Sequence, residues 1–134
     1  IMSDDHQGIE TRSQTVIWVQ SSRPLPDFDL SPSRIHQRTV AARYGLQRLT
    51  FDASPQFNDQ YVLLVRDAER VRPLFSPEVR EYVLTHNGLV FESRAGDALF
   101  YRFGQRLKPK AIGTFLDEAQ TLLGLIRQNA RLPD

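Results

Sequence analysis

The chain has 134 residues, a hydrophobic share of 40%, a charged share of 25% and a net charge of +1. That is the size and composition of one globular domain with a core of its own. A near-neutral balance gives no global field to recruit nucleic acid or an anionic membrane, and zero cysteines exclude disulfides, thiol catalysis and Cys-ligated metal sites.

Residues Ile1 to Arg12 are polar, with Asp4, Asp5, His6, Gln7 and Gly8 together, and read as a hairpin-like turn or a frayed end. Gln14 to Gln20 carries Val16, Ile17, Trp18 and Val19, four consecutive β-formers. Such a run predicts a strand buried on both faces, with Trp18 in the core. Ser21 to Pro32 holds Pro24, Pro26 and Pro32 and reads as a loop, pinned across the core edge by Leu25, Phe28 and Leu30 rather than paired in a ladder. Ser33 to Tyr44 fits neither period, and Gly45 is its stop. Leu46 to Phe51 predicts a short strand, Asp52 to Asp59 a turn region, and Tyr61 to Val65 a strand buried on both faces and placed centrally.

Asp67 is a capping residue for a short helix that runs to Val71 and stops at Pro73. Ser76-Pro77-Glu78 is a helix start of cap, first-turn proline and acid, with Val79, Tyr82 and Val83 inward and Asn87-Gly88 as the stop. Leu89 to Arg94 and Ala98 to Phe103 predict two strands around the Ala95-Gly96-Asp97 turn. Leu99, Tyr101 and Phe103 share one face of the second. Lys108 to Arg127 is helical: Ile112, Phe115, Leu116, Ala119, Leu122, Leu123 and Ile126 follow the 3.6-residue period. Strands and helices that cluster rather than alternate predict an α+β fold, an antiparallel sheet with the helices, including this C-terminal one, packed on one face.

Little in the chain spells chemistry. His6, His36 and His86 have no partner at metal-ligand spacing, and His86 suits a helix C-terminus. Neither a nucleophile elbow nor a phosphate loop is present. Asp117 and Glu118 are adjacent on a helix, so they diverge by about 100° and face solvent or pair with arginines. Arg66, Arg70 and Arg72, and again Arg102, Arg106, Lys108 and Lys110, read as solvated faces beside balancing acids. Catalytic residues are therefore unknown, and no cofactor, metal or nucleic-acid partner is expected.

Four stretches resemble a recurring pattern. They are Gln14-Thr15-Val16, Leu25-Pro26-Asp27-Phe28-Asp29-Leu30-Ser31-Pro32, Phe57 to Val65, and Leu74-Phe75-Ser76-Pro77-Glu78-Val79. The pattern is that of a family of uncharacterised bacterial membrane proteins, in which a short N-terminal transmembrane portion precedes a soluble domain. The resemblance implies a membrane-anchored parent, the membrane reached only through a segment absent from this chain; this domain is expected on the cytoplasmic side. It carries over no site residue. The chain starts at Ile1, followed by Met2, and is expected to be a fragment of a longer protein or to carry an added start. The resulting expectation is a non-catalytic domain making contacts with a protein partner or a second copy. A small-ligand or hydrolase domain, its site assembled from scattered residues, is the alternative.

Overall fold

A computed structural model describes residues 2–7, 10–20, 24–35, 45–102 and 105–130. In chain order the strands are β1 (Met2–Gln7), β2 (Glu10–Thr15), β3 (Ile17–Gln20), β4 (Phe28–Pro32), β5 (Gln47–Leu49), β6 (Tyr61–Val65), β7 (Leu89–Arg94) and β8 (Asp97–Arg102). The helices are α1 (Pro55–Gln60), α2 (Ala68–Val71), α3 (Pro77–Thr85) and α4 (Pro109–Ala130), with a 3-10 turn at Arg72–Leu74. Six strands form one antiparallel sheet in the order β3-β8-β7-β4-β6-β5, and β1 and β2 form a separate hairpin. The fold is α+β, as the clustering of elements implies.

Strand alternation explains which side chains meet the helices. Ile17, Phe28, Leu30, Leu63, Val65, Leu89, Phe91 and Phe100 from the sheet share one core with Val71, Val79 and Val83 and with Phe115, Ala119, Leu122, Leu123 and Ile126 of α4. Phe28 lies at its centre, edge-on to Phe75 at 5.2 Å and to Phe91 at 4.9 Å, the aromatic geometry favoured by ring quadrupoles. Further along α4, Asn129 Nδ2 donates to the Leu74 carbonyl at 3.0 Å and fixes the helix against the 3-10 turn. On the opposite side of the sheet, hereafter the outer face, Val62 and Leu64 are also buried, with Leu46 against them.

Local signals locate the helix starts. Asp67 Oδ1 accepts from the Glu69 and Arg70 amides at 3.1 and 3.4 Å, and Ser76 Oγ accepts from Val79 N at 3.3 Å. The β7–β8 turn places Ala95 at φ 51° and Gly96 at φ 91°, the left-handed pair that a two-residue hairpin requires.

Five expectations are corrected. The stretch after Pro26 is no pinned loop: Phe28–Pro32 is a fully buried inner strand, paired with β6 and β7. Its prolines lie before it and at its last residue, where they cost the ladder little. Asp52 to Asp59 contains helix α1, begun by Pro55. The strand with Trp18 forms one edge of the sheet, and Trp18 is 58% exposed rather than core. β6 is buried throughout, but lies second from the other edge. On α4, Leu116 is 37% exposed, because the buried stripe turns away from it to Phe115 and Ala119. The Ser33–Tyr44 stretch and Phe103 fall partly or wholly outside the described residues.

Candidate functional site

The polar residues of β4 give the outer face its chemistry. Phe28 and Leu30 point to the helices, so Asp29 and Ser31 point the other way, and both are fully buried. Register then fixes their neighbours. Trp18 opposes Leu99, Leu99 opposes Glu92, Glu92 opposes Asp29, and Asp29 opposes Leu64. One row across five strands thus runs from an exposed tryptophan to two carboxyl groups side by side. Directly opposed residues of an antiparallel pair have Cβ atoms about 5 Å apart, where like charges repel.

Hydrogen bonding does not relieve that pair evenly. The Tyr101 hydroxyl, from β8, donates to Glu92 Oε2. Neither carboxyl oxygen of Asp29 has a hydrogen-bond partner, nor does Ser31 Oγ. Loss of water pushes the Asp29 pKa up, and the charge of Glu92 pushes it further, to about 7. The Arg94 guanidinium and the Ser31 hydroxyl, nearby but short of hydrogen-bond geometry, pull the other way more weakly. Burial, with Glu92 and Asp29 beside it, also raises the Tyr101 hydroxyl. A carboxyl poised near neutral pH can take up or release one proton in the physiological range.

A second feature is an open cleft of about 910 Å³ at the end of the sheet where β4 begins. The Pro24–Asp27 segment, Arg66 to Arg70 and the β7–β8 turn line it. Asp27 organises this corner: its Oδ1 accepts from Ala95 N at 3.1 Å, and its Oδ2 lies 3.6 Å from Arg66 Nε.

The other sequence candidates have structural roles. His86 closes α3, with Nδ1 2.9 Å from the Tyr82 carbonyl and its ring stacked on Tyr82. His6 lies on β1, far in sequence from the other two, and His36 is outside the described residues. Asp117 and Glu118 diverge as expected. Glu118 pairs with Arg102 at 2.8 Å, and that guanidinium lies 5.1 Å from the Phe115 ring centroid, which ties β8 to α4. Of the two basic groups, Arg66 and Arg70 reach the cleft, while Arg72 donates to the Thr50 carbonyl at 3.1 Å. Sequence reasoning missed Asp29 and Glu92. Their signal was present in Phe28-Asp29-Leu30-Ser31, an alternation of apolar and polar residues that reads as a strand once the flanking prolines are discounted.

Among the described residues, no three His, Cys, Asp or Glu side chains converge as a metal site, and no helix is long and apolar enough to cross a membrane. Searches of protein-family models, of curated proteins and of solved structures find no match to this chain.

Proposed function

We propose that this chain is a non-catalytic interaction domain of a bacterial membrane-associated protein, on the cytoplasmic side, and that an extended polypeptide segment docks along β3. The observation that carries the reading is Trp18, 58% exposed on a strand whose one partner among the described residues is β8. Edge strands offer unpaired backbone groups, and an added strand satisfies them. Tryptophan is among the residues enriched where binding energy concentrates. Covering the rest of a ring that buries 150–250 Å² would contribute about 2–3 kcal/mol. Membrane association rests on the resemblance of the Gln14–Val16, Leu25–Pro32, Phe57–Val65 and Leu74–Val79 stretches.

The test places a photoreactive phenylalanine analogue at position 18 of the full-length parent, in native membranes. A control analogue goes at Gln120, on the exposed back of α4. The reading expects a discrete adduct at 18 and none at 120, both proteins sedimenting with membrane. An adduct of a second copy or of another protein identifies the docked segment by its crosslinked peptide. Equal labelling at both positions, or a parent recovered free of membrane, overturns it.

The cleft favours a second reading, a small ligand bearing both charges, since Arg66 and Arg70 line it together with Asp27 and Asp67. A panel of amino acids and nucleotides tested by calorimetry checks this, and heats that survive Arg66→Ala would sink it.

A further inference from the structure

We propose that Asp29 and Glu92 form a one-proton switch for the outer face: with a proton on Asp29 the strip around β4 is closed, and loss of that proton opens it. This is independent of what docks on β3. Three features of the pair carry it. Asp29 has no exposed surface and neither oxygen makes a full hydrogen bond, so its buried anion is offset only weakly, by the nearby Ser31 hydroxyl and Arg94 guanidinium. Its position opposite Glu92 is fixed by strand register, so the two Cβ atoms cannot separate without breaking the β4–β7 ladder. Glu92 is in turn held by the Tyr101 hydroxyl.

Among the described residues, the charges that bear on Asp29 are the Glu92 carboxyl and the Arg94 guanidinium. β7 supplies Glu92 and Arg94, and β8 supplies the Tyr101 hydroxyl. β4 itself adds the neutral Ser31. From β6 come Val62 and Leu64, both apolar. β5 brings Arg48 opposite Leu64, but its Nη2 donates to the Asn58 and Tyr61 carbonyls and is held towards α1. Two opposed carboxyls, one of them fully buried, are least costly to hold together when they share one negative charge and one of them carries a proton. When that proton leaves, the charge is stabilised by exposure to water, and exposure means a local opening of the strands around Asp29.

The experiment is hydrogen exchange read by mass spectrometry on peptides spanning β4 and β7, at pH 5.5 and 8.5, with labelling times corrected for intrinsic exchange. If opening hydrates Asp29, its shift from 3.8 to about 7 makes the opening constant rise roughly thirtyfold between these pH values. Asp29→Asn should stay protected at both. Should that variant not fold, Glu92→Gln serves instead: it keeps an acceptor for Tyr101, removes the opposed charge, and should shrink the pH effect. Protection in wild type that does not change with pH, or a change that persists unaltered in whichever variant is read, overturns the switch.

Discussion

Replacing Asp29 by Asn should convert a pH-sensitive domain into one that is more stable at pH 8 and nearly flat in pH. The carboxyl of the unfolded chain loses its proton near 3.8, and the folded one near 7. Between those values the folded state holds a proton that the unfolded state lacks, so raising the pH through this window works against folding. Asp29 therefore costs nothing below about pH 3.8 and its full penalty above about pH 7. Three pKa units correspond to about 4 kcal/mol, a large fraction of the 5–15 kcal/mol that holds a domain together. Between pH 5 and pH 8 the wild type should lose about 2.5 kcal/mol of this. Asparagine has nearly the shape of the protonated acid and cannot ionise. It should gain about 2–4 kcal/mol at pH 8 and change little at pH 5. Urea denaturation of both proteins at four pH values between 5 and 9 measures these differences. A wild type that grows more stable from pH 5 to 8, or an Asn variant weaker than wild type at pH 8, would show that Asp29 is not buried as a protonated acid.

Other substitutions probe separate parts of the fold. On α4, Leu122→Ala should cost about 2–5 kcal/mol because the side chain is fully buried, whereas Leu116→Ala, 37% exposed, should cost under about 1 kcal/mol; chemical denaturation that ranks them the other way would contradict the packing. Gly96→Ala should destabilise by about 1–2 kcal/mol, since its φ is +91° and a Cβ there would lie 3.3 Å from Pro24 Cβ; a thermal midpoint equal to wild type would argue against that turn. Ser76→Ala removes the acceptor for Val79 N and should cost about 1 kcal/mol, read as a lowered urea midpoint with unchanged slope.

Much of this architecture was legible because local rules and tertiary packing agree. The Asp67 and Ser76 caps, the Ala95-Gly96 turn and, Leu116 aside, the α4 stripe each follow a local signal, and each is found where that signal places it. The errors come from residues for which context overrides composition. Val16 to Val19 looks doubly buried, but sheet order puts that strand at an edge, and order is set by long-range pairing that no short window contains. Phe28 to Pro32 looks like a loop because of its prolines and its acid. Burying Asp29 breaks the rule that interiors are apolar, and such exceptions are concentrated where function is found. Even with β4 recognised, the opposition of Asp29 and Glu92 depends on register across residues far apart in the chain.

The carboxyl carbon of Asp29, followed by nuclear magnetic resonance in selectively labelled protein between pH 3 and 9, reports directly on the pair at the centre of the outer face. A midpoint near 7 is expected in wild type, and a lower midpoint in Glu92→Gln, where burial remains but the opposed charge is gone. A wild-type midpoint near the ordinary 3.8 would contradict that expectation.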